Sequence, residues 1–181
     1  MNYKPERIYS AFLFSLIFLI LIGCVSHHVP KPEIVDFSGI QKVDNKISMN
    51  IINVQDNTEE KNFGNYGAGK MVGDLKKWTD SAVEMAKNSL EEKGVSFNDE
   101  SSKIVKFAIV DVKVDTAGIP FVASLARCKI ILNVETGNGY TQTYEATNDD
   151  LNPPWASNKA MKKVVGAFLN DKNILDYINA L

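Results

Sequence analysis

The chain has 181 residues, 45% of them hydrophobic, with 20 basic and 22 acidic side chains and a formal net charge of −2. That length suits one domain with a sizeable core. So mild an acidity excludes a basic nucleic-acid interface.

The first elements concern address. Lys4 and Arg7 form a short basic region, and residues 8–22 are almost wholly apolar. Leu21-Ile22-Gly23-Cys24 follows and looks like a lipobox, the recognition site of bacterial lipoprotein signal peptidase. The residue types fit that chemistry. A thiol at Cys24 is needed to form a thioether to diacylglycerol, and a small Gly23 lets the peptidase reach the bond before it. A membrane span needs about 20 apolar residues, more than this run supplies, so residues 1–23 read as a cleaved lipoprotein signal peptide. Removing Lys4, Glu6 and Arg7 leaves the remainder mildly acidic. One acyl chain holds a membrane only reversibly, and the two or three of bacterial lipoproteins give a stable anchor. Val25 stands where enteric lipoproteins retained at the inner membrane carry Asp, which points to the outer membrane. With Cys24 acylated, Cys128 is the remaining thiol and has no intramolecular partner.

Residues 24–33 read as the lipidated cysteine and a flexible, proline-containing tether. His27 and His28 lie in it without further ligands at metal spacing, so no metal site is expected. A single α+β periplasmic domain is expected over 34–181. Ile47, Met49, Ile51 and Val54 mark its first strand. Residues 55–73 are polar and glycine-rich and read as a long loop, either functional or mobile. Within it, Gly64, Gly69 and Lys70 match G-x-x-x-x-G-K. No apolar strand precedes Gly64, Met71 occupies the magnesium-binding position, and the next helix starts late, so no nucleotide site is expected. Tyr66 and Lys70 remain candidate partner contacts, since long exposed loops often carry function.

Asp74 is placed to cap a helix in which Leu75, Trp78, Ala82, Ala86 and Leu90 recur at helical spacing, with Gly94 at its end. Strands follow over 103–114 and 122–136, with a turn between them. The second alternates cleanly: Ala126, Cys128, Ile130, Leu132 and Val134 on one face, Arg127, Lys129, Asn133 and Glu135 on the other. Thr136-Gly137-Asn138-Gly139 reads as a tight turn into a strand over 140–147. Residues 148–156 read as a loop. Its Trp155, after Pro153-Pro154, is a candidate partner anchor or a lid on the core. Ser157 is expected to cap a second helix, and Asp171 a short final one. The expected fold is therefore α+β, an antiparallel β-meander with two main helices packed on one face.

No catalytic set is legible. G-x-S-x-G is absent, both histidines fall in the tether, and Glu59-Glu60 and Asp149-Asp150 are adjacent acids rather than a converging pair. No enzyme activity and no cofactor are expected.

Several strings together resemble the YajG-like family of small bacterial lipoproteins. They are the lipobox, Leu90-Glu91-Glu92-Lys93-Gly94, the alternating strand before Gly137-Asn138-Gly139, Ala156-Ser157-Asn158-Lys159, and Asp171-Lys172-Asn173-Ile174 with Ile178. The resemblance implies an outer-membrane lipoprotein facing the periplasm, without known catalytic residues, and it transfers a role only to Cys24. The expected function is a non-enzymatic, lipid-anchored envelope protein that binds another envelope component, a protein. The alternative is a carrier of lipid or another apolar ligand, akin to the auxiliary lipoproteins of lipid-transport systems in architecture only.

Overall fold

The computed structural model describes residues 25–38, 40, 47–66, 69–119 and 123–180. In chain order these form strands β1 (Val25–His27), β2 (Ser48–Asn53), β3 (Glu60–Tyr66) and β4 (Gly69–Asp74), helix α1 (Leu75–Glu91) and strand β5 (Ser96–Phe97). The long strands β6 (Ile104–Ile119), β7 (Ala123–Thr136) and β8 (Thr141–Asp150) follow, then helices α2 (Pro153–Leu169) and α3 (Lys172–Asn179).

The expected antiparallel trio is present as β6–β7–β8, but it is only part of a larger mixed sheet. The free edge of β6 takes two further strands end to end. Near its start β2 pairs with it in parallel, Asn50 opposite Ile104. Farther along, β3 joins in parallel at Gly64 opposite Val114. β4 pairs with β3 antiparallel, and β1 with β4 in parallel. Parallel pairing requires a crossover. Here the crossover between β2 and β6 holds β3, β4, α1 and β5.

Where β2 leaves β6 and β3 has not yet joined, side chains complete the backbone pairing. Val54 N donates to Phe107 O, Gln55 Nε2 to Ile109 O at 2.7 Å, and Ile109 N to Thr79 Oγ1 at 3.0 Å. A buried backbone N–H left without a partner costs free energy comparable to a lost hydrogen bond. Thr79, fully buried on α1, removes that cost at the gap.

Residues 55–73, expected as a loop, instead contain the β3–β4 hairpin. Its two inward residues, Phe63 and Met71, are 4% and 1% exposed, and Phe63 stacks edge-on against Trp78 at 5.1 Å. Two apolar residues are enough to seat the hairpin because α1 supplies the rest of the contact. A bulge between Asn62 and Gly64 lets it bend onto β6. Gly64 has φ +146, and a Cβ there would lie 1.7 Å from the Val114 carbonyl oxygen.

Asp74 caps α1 by accepting from Lys77 N at 3.0 Å, as expected. The expected turn after Val114 is displaced, because β6 continues to Ile119. α2 also begins earlier than expected. Asn152, not Ser157, is its cap, accepting from Trp155 N at 3.0 Å. Pro153 and Pro154 fill the first helical positions, where a missing N–H costs nothing. Ser157 is buried just past the first turn and donates to Pro154 O. Asp171 caps α3 as expected.

Both main helices lie on one face of the sheet. Trp78, Met85 and Leu90 from α1 and Met161, Val165 and Phe168 from α2 pack onto Phe107, Ile109, Ile130 and Leu132, all of them 0% exposed. Phe107 and Phe168 meet edge to face at 4.8 Å. Each such side chain contributes about 1.5–3 kcal/mol by leaving water. The alternation of β7 appears as expected, with Ala126, Cys128, Ile130, Leu132 and Val134 inward.

Candidate functional site

The N-terminal segment establishes one end of the molecule. Cys24 and the lipobox residues Leu21, Ile22 and Gly23 lie outside the described residues. From Val25 onward the chain, expected to be a free tether, is built into the body. Val25 pairs with Lys70, and His27 with Val72. Trp78 Nε1 donates to His28 O at 2.8 Å, and Ser81 Oγ to Pro30 O at 2.5 Å. Val35 N donates to Ser89 Oγ at 2.8 Å, which ties the segment to the last turns of α1. Buried Val35, Phe37 and Ile40 extend the core beyond the strands. A polar sequence hides this docking because the anchoring bonds use the segment's backbone groups.

The two histidines diverge. His27 Nδ1 lies 3.0 Å from Glu60 Oε1, and His28 Nε2 shares a 3.2 Å hydrogen bond with Asn158 Oδ1. Burial keeps His28 below the ordinary imidazole range, and nearby Lys31 adds to this, against the Asn158 bond. Among the described residues, no group of three or more His, Cys, Asp or Glu is placed to hold a metal ion.

Of the candidate contacts, Tyr66 and Trp155 are brought to one end. Tyr66, at the end of β3, packs on the core and donates its hydroxyl to Leu151 O at 3.0 Å. Four residues on, Trp155 sits in the first turn of α2 and is 54% exposed, so it does not close over the core. Lys70 is exposed on β4 beside Val25. The G-x-x-x-x-G-K residues thus belong to a hairpin rather than a strand-to-helix phosphate loop. Met71, next to Lys70, points into the core. The acids Asp149 and Asp150 at the end of β8 face partners. Arg127 grips Asp149 with two bonds of 2.8 and 2.7 Å, and Lys159 Nζ reaches Asp150 Oδ2 at 2.5 Å. Those cations hold both carboxyls below the usual carboxylate range.

The opposite end carries a feature that the sequence did not signal. A trough of about 700 Å³ opens on the outward face of the sheet. Its lining includes Val54, Lys106, Ala108, Asn133, Glu135 and Thr143. Lys106 and Glu135 pair at 2.8 Å across β6 and β7, and Thr143 donates to Asn133 Oδ1 at 2.8 Å. Single-strand alternation marks these residues as outward but cannot reveal a concavity, which depends on β2 ending beside them.

Two polar groupings are structural. Tyr144 and Tyr140 donate to Asp171 Oδ2 at 2.7 and 3.1 Å, and Asn173 N donates to its Oδ1. Burial raises the Asp171 carboxyl, but the Tyr144 bond and the others outweigh it and hold the group low, as suits a helix cap. Burial pushes the Cys128 thiol up to about 12, so it behaves as a small apolar side chain rather than a nucleophile.

No family model and no curated protein matches the sequence. The fold is similar to that of protein XCC0632 from Xanthomonas campestris, of the DUF330 family, known from a crystal structure. The TM-score is 0.54 over 80% of this chain and 93% of that one. The two chains share a fold. At 12% identity the likeness to XCC0632 extends to architecture and not to individual side chains. No described helix is long and apolar enough to cross a membrane.

Proposed function

We propose that the protein is a non-enzymatic, lipid-anchored accessory protein of the cell envelope that holds a polar, extended segment of another envelope protein. The observation that carries this reading is the trough, placed far from where the chain enters. Along β6 the trough lies near Phe107, and the β3 junction near Val114. Seven residues of strand separate them, about 20 Å. A protein held to the membrane through Cys24 would turn one end toward the lipid and offer the trough away from it. The lipobox and the YajG-like strings support the anchor and a place at the outer membrane facing the periplasm.

The trough's chemistry favours a polar segment over an apolar ligand. Lipid sites are mostly apolar, whereas this one sets an ion pair, two threonines and an asparagine beside Val54 and Ala108. The carrier alternative needs space between sheet and helices, where Trp78, Phe107, Met161 and Phe168 are fully buried.

The test is affinity capture with the full-length lipidated protein from detergent-solubilised envelopes, with Cys24→Ser and Ala108→Arg variants in parallel. Ala108 is half-buried in the trough floor, and arginine there fills it. The expected result is one stoichiometric protein partner, lost with Ala108→Arg. A partner retained by that variant would move the contact elsewhere, and co-purified lipid without protein would restore the carrier reading.

A further inference from the structure

We propose that the Val25 end of the protein is a second membrane contact, with Trp155 and Leu151 seated in the headgroup layer of the bilayer that holds Cys24. This rests on the lipid-anchor reading and goes beyond it, because an anchor on a free tether would let the domain face any direction.

The geometry removes that freedom. Val25, the residue after Cys24, is already a paired strand residue, so no slack separates the acylated position from the folded body. Val25 pairs with Lys70 and Lys70 with Asn65. Two strand spacings, about 10 Å, therefore carry the line from the anchor to the base of Tyr66. The Tyr66 hydroxyl fixes Leu151. On the far side of Trp155, Asn158 accepts from Lys31 N and bonds His28. Trp155 is thus bracketed, at Leu151 and at Asn158, by residues tied to the hairpin and to the entering chain.

Three large apolar residues at this end face solvent: Val25 is 53% exposed, Leu151 66% and Trp155 54%. Single exposed apolar residues are ordinary on a protein surface. Leu151 and Trp155 lie four residues apart, beside residues tied to the hairpin and to the entering chain, and one is a tryptophan, the side chain most at home at a membrane–water interface. The local charges do not oppose an anionic lipid surface. Asp115, Asp149 and Asp150 are paired with Lys113, Arg127 and Lys159, and Lys70 is exposed beside Val25.

The chain has two tryptophans, and Trp78 is 0% exposed, so the difference between the protein and its Trp155→Phe variant isolates the Trp155 signal. The lipidated protein would be incorporated in vesicles of phosphatidylethanolamine and phosphatidylglycerol, with and without brominated acyl chains. Flotation would be measured on the same samples. The expected result is flotation, a blue shift, and bromolipid quenching of a component that is missing in Trp155→Phe. Flotation with Trp155 still open to aqueous acrylamide and untouched by bromolipid would overturn this proposal alone, and would return Trp155 to the role of a protein contact. Failure to float would overturn the anchor reading and this proposal with it.

Discussion

Single residues decide whether the unusual junctions of this sheet hold. Thr79 does two things at once. Its hydroxyl donates to Leu75 O within the helix and accepts from Ile109 N at the gap between β2 and β3. Thr79→Val keeps the volume but leaves a buried strand N–H without a partner, a loss of about 1–3 kcal/mol. Urea unfolding should show that drop, whereas Thr79→Ser should recover most of it. Equal stability of the valine and serine variants would mean that packing, not the hydrogen bond, is what Thr79 supplies. The residue's helical position was legible from spacing. Its partner was not, because Ile109 lies 30 positions away and the need arises only where two strands share one edge.

At the scale of elements, the β3–β4 hairpin marks the main difference between expectation and structure. Its sequence is polar because one face meets water and only Phe63 and Met71 turn inward. That is too few positions for a period-2 pattern to stand out from a loop. What commits the segment to a sheet is contact with α1 on one side and β6 on the other. Gly64 is the hinge of that contact. Gly64→Ala combines a backbone angle that an L side chain avoids with a collision against the Val114 carbonyl. It should cost at least about 2 kcal/mol. Hydrogen exchange should localise the loss, with amides of β3 and β4 opening before those of β7. Uniform loss of protection across the molecule would instead mean that the hairpin folds as one cooperative unit with the core.

For the molecule as a whole, the entering segment joins the Val25 end to both helices, and His28 lies at the crossing. Its folded pKa is lowered, first by burial. The neutral form is therefore favoured on folding, and its contribution is complete above the unfolded value of about 6.5. As pH falls from there through the folded pKa, that contribution is lost. Stability to urea should accordingly decline between about pH 7 and pH 5, and His28→Gln should show a smaller decline over the same range. An unchanged slope in the variant would assign the dependence to other groups. If the proposed anchor holds, docking of this segment also limits how the protein moves on a membrane. A free linker would decouple the trough from the anchor, whereas a paired β1 fixes the angle between them.

Local chemistry was enough to place α1 and α3 with their caps Asp74 and Asp171, the alternation and tight turn of β7 and the inert setting of Cys128. Each depends on a few neighbouring residues and on periods of 2 or 3.6, so each can be read along the chain. Only tertiary structure decided that β2 and β3 pair in parallel with β6, that a polar stretch becomes a hairpin, and that a proline-containing leader packs onto α1. It also decided that Tyr66 and Leu151 meet at the Val25 end while a trough opens at the other. These depend on backbone groups and on side chains far apart in sequence, and a backbone carbonyl offers the same acceptor whatever residue carries it.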